Sequence, residues 1–152
     1  MHSPFMRLQV AVFVILIAIV TPLLAATPNF YPISEADKKF LAEIADAVQK
    51  NDTNWIAEHM VYPLSIVEDN KKRIVTTREQ FMPVISQKFT VELRANITAA
   101  AKKPLFKNWQ GVMVGDGLVW FSEYQRDDKW RSGIFAFGHF AVQPDSSIRL
   151  DK

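Results

Sequence analysis

The sequence predicts an α+β fold: N-terminal helices packed on a curved antiparallel sheet. Three observations carry this. The first two-thirds of the chain shows helical apolar spacing with helix caps. The last third, from Trp109 onward, is rich in β-branched and aromatic residues in short runs separated by turn residues. Between the helical stretches lies one small strand pair. Segregation of helices from strands, rather than strict alternation, is the pattern of α+β domains.

The elements follow in order. Residues 1–26 are set apart as a signal peptide. Arg7 precedes an apolar run from Leu8 to Val20 broken only by Gln9, Thr21-Pro22 ends the run, and Leu23-Leu24-Ala25-Ala26 finishes on small residues. That is the charged, apolar and small-residue layout of an export leader. The alternative is an uncleaved anchor, because Leu8 to Ala26 approaches the roughly 20 residues of a spanning helix. Thr21-Pro22 inside it and the lack of a basic stop-transfer cluster favour cleavage. The expected product is a periplasmic or secreted protein with no stable membrane insertion.

Residues 27–152 are then a single domain, long enough to bury a core without staples. Residues 27–33 carry Pro28 and Pro32 and are expected to be extended. Ser34 is a helix N-cap, and Asp37 completes an acidic capping box. Phe40, Leu41, Ile44, Ala45 and Val48 recur at helical spacing, which predicts a helix over 35–50. A short helix near Thr53 carries Trp55, Ile56, His59 and Met60 and stops before Pro63. Leu64 to Val67 and Arg73 to Val75 are strands around a polar turn. Thr77 and Gln80 form a second capping box. A helix follows with Phe81, Val84, Ile85 and Phe89, with Pro83 an irregularity, and residues 90–101 continue as helix, the place of the break between the two stretches being left open. Strands are expected at 112–114, 118–124 and 130–142, with a last short one at 148–150. Gly115-Asp116-Gly117 and Gln125 to Lys129 are the turns between them.

Composition removes several classes of function. There is no cysteine, so disulfides, thiolate nucleophiles, thiolate zinc sites and iron–sulfur clusters are excluded. Net charge is +2, and Arg7 supplies one of those charges, so the mature domain lacks the basic excess of a nucleic-acid binder. Lys71-Lys72-Arg73 and Lys102-Lys103 are short enough to be solvated loop or helix ends. Asn51-Asp52-Thr53 and Asn96-Ile97-Thr98 match the glycosylation sequon, which matters only in a host that glycosylates. No dinucleotide fingerprint, phosphate loop, His-Glu-x-x-His or Gly-x-Ser-x-Gly is present, and no cofactor or metal is expected.

Several segments resemble the nuclear transport factor two-like superfamily, whose cone-shaped α+β fold includes ketosteroid isomerase and scytalone dehydratase. They are Asp52 to Met60, Tyr62-Pro63-Leu64, Thr77-Arg78-Glu79-Gln80-Phe81, Gly111 to Gly117, Val119-Trp120-Phe121 and the strand opened by Trp130. The resemblance covers most of the mature chain. It implies a pocket between the helices and the concave face of the sheet. It does not imply an activity, since the superfamily holds enzymes and binding modules alike.

The pocket candidates are Trp120, Tyr124, Trp130, Phe135, Phe137 and His139. His139 alternates with Phe135 and Phe137 along one strand face, an aromatic wall with one polar group. A bulge near a glycine would shift this parity. His59 is better explained as a helix-surface or core residue than as a ligand, and Asp116 as a turn residue. His139, His59, Asp116, Glu123 and Tyr124 are the groups able to move a proton, and each has a structural explanation. The expected function is therefore non-enzymatic: a binding or accessory protein for an apolar small molecule or a protein partner, able to pair with a second copy through its sheet. The alternative is a cofactor-free isomerase, dehydratase or hydrolase using an acid/base residue in the pocket.

Overall fold

The computed structural model describes residues 31–68, 71–138, 140–142 and 149–150. The segment expected to be a signal peptide and His139 lie outside these residues. Four helices, α1 (Glu35–Lys50), α2 (Thr53–His59), α3 (Arg78–Lys88) and α4 (Val91–Ala100), pack on one antiparallel sheet. Its strands are β1 (Leu64–Glu68), β2 (Lys71–Val75), β3 (Phe106–Asn108), β4 (Gly111–Val114), β5 (Val119–Arg126), β6 (Lys129–Phe137), β7 (Phe140–Val142) and β8 (Arg149–Leu150). The order across the sheet is β2-β1-β7-β6-β5-β4-β3, and β8 pairs with β5. The α+β class expected from the sequence is the class observed.

Local chemistry explains the helix limits. The Ser34 hydroxyl accepts from the Asp37 amide and the Asp37 carboxylate accepts from the Ser34 amide at 2.7 Å, a complete capping box for α1. Asn51 ends the helix in the left-handed conformation, which asparagine tolerates. Asp52 caps α2 through the Trp55 amide. The second capping box is only half as expected. Thr77 caps the Gln80 amide, but the Gln80 side chain accepts from Thr76 rather than from Thr77. The break between the two expected helical stretches, whose place the sequence left open, falls at Phe89. Thr90 then caps a fresh start through the Leu93 amide.

Two strand expectations are corrected. Residues 106–108, before Trp109, already form β3. The long strand expected over 130–142 is two strands, because Gly138 adopts φ +59° and the chain folds back. Phe137 then pairs with Phe140 and Ala136 with Ala141. The alternating pattern gave no sign of this reversal, since Phe140 keeps the aromatic run going on the returning strand.

The core lies between the helices and one sheet face. Phe40 of α1 meets Phe121 of β5 edge-on at 5.5 Å, and Phe89 meets Phe137 at 5.5 Å. Ile44, Ile56, Leu64, Phe81, Ile134 and Phe137 are fully buried. The opposite face carries a continuous row across seven strands: Ile74, Ser65, Ala141, Ala136, Trp120, Met113 and Phe106.

One irregularity decides which residues share a face. The β5–β6 register shifts between Trp120 and Phe121. Trp120 faces Ala136 and Phe121 faces Ile134, so Phe135 is an extra residue. Phe135 is thereby thrown to the face opposite Phe137, where it meets Tyr124 edge-on at 5.7 Å.

Candidate functional site

The aromatic residues singled out in the sequence do not converge on one wall. Phe137 is a core residue packed on Phe89 at the end of α3. Phe135, Tyr124 and the half-buried Trp120 lie on the other face of the sheet. Trp130 is 52% exposed near the β5–β6 turn. The register shift is the physical reason that Phe135 and Phe137 part, because residues two apart on a strand share a face only where no extra residue is inserted.

A different set of side chains lines an open cleft of about 130 Å³ near the N-terminal end of α1: Tyr31, Asp37, Lys107, Asn108, Trp109, Gly111, Ser122 and Glu123. Three pieces of local structure build it. The α1 capping box places Asp37 on the first turn, facing inward. Strand β3 places Lys107 on the helix-facing side, opposite Val112, which pairs in turn with Phe121. A two-residue turn, closed by Asn108 opposite Gly111, puts Trp109 at the tip of the β3–β4 hairpin. The Asn108 carboxamide oxygen accepts from the Gln110 amide at 2.8 Å, a side-chain turn typical of asparagine. Gly111 is obligatory. Its φ is +124°, and a Cβ there would fall 2.3 Å from the Phe121 carbonyl oxygen.

An ion pair closes the cleft floor. Lys107 Nζ donates to Asp37 Oδ2 at 2.6 Å, and the two side chains are 24% and 8% exposed. The same carboxylate oxygen accepts from the Ser34 amide at 2.7 Å and the Ser34 hydroxyl at 2.8 Å. Burial works to raise the Asp37 pKa. The hydrogen bonds from Lys107 and Ser34 and the lysine charge outweigh it, and the net direction is downward. Asp37 is thus a carboxylate held ionised. The Tyr31 amide donates to the Lys107 carbonyl at 3.1 Å, tying Tyr31 to the same strand.

At the rim, Trp109 is 59% and Tyr31 39% exposed, and Glu123 is exposed. Glu123 lies on β5 between Phe121, which β4 covers, and Tyr124, which β8 covers. Its carboxylate makes no hydrogen bond or ion pair among the described residues.

Other candidates take structural roles. The His59 ring stacks on Trp55 at 3.8 Å, with Nδ1 2.8 Å from the Trp55 carbonyl oxygen. The Tyr62 hydroxyl donates to the Ala57 carbonyl at 2.7 Å, and burial pushes its pKa well above the usual tyrosine value. Asp116 is exposed in a turn with φ +43°. Among the described residues no group of three or more His, Asp or Glu side chains is arranged to hold a metal ion. Sequence reasoning found Asp37 only as a cap and did not find Lys107, Trp109 or Tyr31. Asp37 and Lys107 are far apart in the chain, and the capping box that holds Asp37 carries no sign of Lys107.

No protein-family model, curated protein or solved structure matches this chain.

Proposed function

We propose that this chain is an exported, non-enzymatic binding module that engages a protein partner across the cleft beside α1. The observation that carries the reading is the pairing of a small open cleft with two exposed rings. At about 130 Å³ the cleft is well below the roughly 300–1,000 Å³ of drug-sized ligand sites. The large inward aromatics Phe81, Phe121 and Phe137 belong to the packed hydrophobic core. That weighs against the apolar small-molecule version of the reading. Exposed tryptophan and tyrosine beside a polar pair are the residue types that anchor protein interfaces. An enzyme of the isomerase or hydrolase kind needs a base tuned toward neutrality, whereas Asp37 is shifted the other way and bound to three donors.

The superfamily resemblance belongs to this proposal. Helices, a strand pair, more helices and an antiparallel meander returning to β1 agree with a nuclear transport factor two-like cone. The leader layout supports export, and mass spectrometry of the secreted protein should find an N-terminus near Ala26 or Thr27. A second copy, if the protein dimerises through its sheet, would use the outward row from Ile74 to Phe106.

The test of partner binding is photocrosslinking in the native host, with a benzophenone amino acid at position 109 and, as control, at Lys39. A discrete adduct from 109 and none from 39 is expected. Equal adducts at both positions, or none at 109, would refute the reading.

A further inference from the structure

We propose that the cleft receives the guanidinium group of an arginine presented by the protein partner, an assignment that rests on the partner-binding reading above. Charge is the first argument. The Lys107 ammonium is already engaged by Asp37 at 2.6 Å, so these two lining groups cancel. Glu123 is left as the one lining charge without a counter-ion among the described residues. A cleft with that balance attracts a cation and repels phosphate or carboxylate.

The second argument is ring chemistry. Trp109 and Tyr31 line the same cleft and are 59% and 39% exposed. An aromatic face attracts a cation through its quadrupole, tryptophan most strongly, and arginine is the cation found there most often. The third is shape. A planar guanidinium can stack on a ring while its N–H fork reaches a carboxylate, a geometry that the compact ammonium of lysine does not match. The Asn108 and Ser122 side chains complete the polar lining. A cleft of about 130 Å³ suits a single side chain presented by the docking partner.

The test titrates the full exported protein, labelled with ¹⁵N, with three blocked pentapeptides: Gly-Gly-X-Gly-Gly with X as arginine, lysine or citrulline. Citrulline keeps the shape of arginine and removes its charge. The expected result is a saturable shift of the Trp109 indole N–H with the arginine peptide at millimolar Kd. Binding should be at least about fivefold weaker with lysine and undetectable with citrulline. Glu123→Gln, an exposed and structurally mild change, should weaken arginine binding at least about fivefold with an unchanged melting temperature. Citrulline or lysine binding as tightly as arginine, shifts that leave Trp109 untouched, or an unaffected Glu123→Gln variant would each overturn the assignment. The crosslink at position 109 separates the two readings. If it persists at full yield in Glu123→Gln, the partner stands and the arginine falls; if it is absent in both backgrounds, the partner reading falls as well.

Discussion

Asp37 serves two purposes with one carboxylate. It completes the α1 cap, and it receives Lys107 from β3, so the first helical turn is tied to the sheet. Because its pKa is lower in the folded chain than the ordinary 3.8, the unfolded chain binds a proton more readily over that interval. The stability Asp37 confers is therefore fully present above about pH 4 and lost as pH falls through its lowered folded value. Urea midpoints between pH 5 and 2 should fall more steeply for the wild type than for Asp37→Asn; parallel curves would show that the pair adds nothing. At neutral pH, Lys107→Met leaves a largely buried carboxylate with only its Ser34 donors, and should cost about 1–3 kcal/mol, measured by the same melts. The cap half of this role was legible, because Ser34-x-x-Asp37 is a local signal whose partners are three residues apart. The ion-pair half was not, since nothing in the sequence near Lys107 points to Asp37. Trp109 and Tyr31 were missed for a related reason. Whether a single aromatic is exposed or buried depends on which hairpin carries it.

Elements with strong periodicity and capping were recovered closely. α1 ends where the apolar spacing and Asn51 place its end, α2 falls where expected, and β1 and β2 are found but extend into the expected turn, to Glu68 and from Lys71. Failures came where the backbone changed direction without a turn signal. The break at Phe89 needs only Thr90, which looks like any helix threonine until its hydroxyl is seen on the Leu93 amide. Thr90→Ala should therefore cost about 1 kcal/mol, whereas the neighbouring surface change Thr98→Ala should cost less. Equal losses in thermal melts would deny Thr90 its capping role. The β5–β6 turn offers the opposite sign. Asp127 and Asp128 both hold positive φ, +52° and +58°, between Arg126 and Lys129, which pair directly. Such two-residue turns favour glycine at the second position. Asp128→Gly should stabilise the protein by about 0.5–1 kcal/mol, seen as a higher urea midpoint; a lower midpoint would mean that the Asp128 side chain is needed there. The same local view explains why the pocket candidates scattered. The extra residue Phe135 arises from pairing between strands, and pairing register is set by partners that a single strand's pattern does not contain.

At the scale of the molecule, one core joins all four helices to the sheet. Phe137 is its clearest test, being fully buried against Phe89. Phe137→Ala should cost about 3–5 kcal/mol. Trp120→Ala, on the outward row and only half-buried, should cost distinctly less. Similar losses in thermal melts would mean that the outward row is as well packed as the core. The fold class was legible because helix and strand patterns are segregated along the chain. Which face of the sheet met the helices was not, because that depends on the bulge.

The sheet order has a kinetic consequence. β1 is hydrogen-bonded to β7, with Leu64 opposite Val142, so among the described strands the early β1–β2 hairpin joins the rest of the sheet through a segment far downstream in the chain. A nascent chain emerging from its N-terminus cannot complete this sheet until β7 is free. Such closure between sequence-distant strands also slows the search for the native pairing. A chain cut after Phe137 should lack cooperative unfolding and be digested rapidly by protease, while the full chain resists. That delay leaves the β1–β2 hairpin apart from the rest of the sheet until β7 arrives, and β7 then acts as the latch that commits the chain to the folded state.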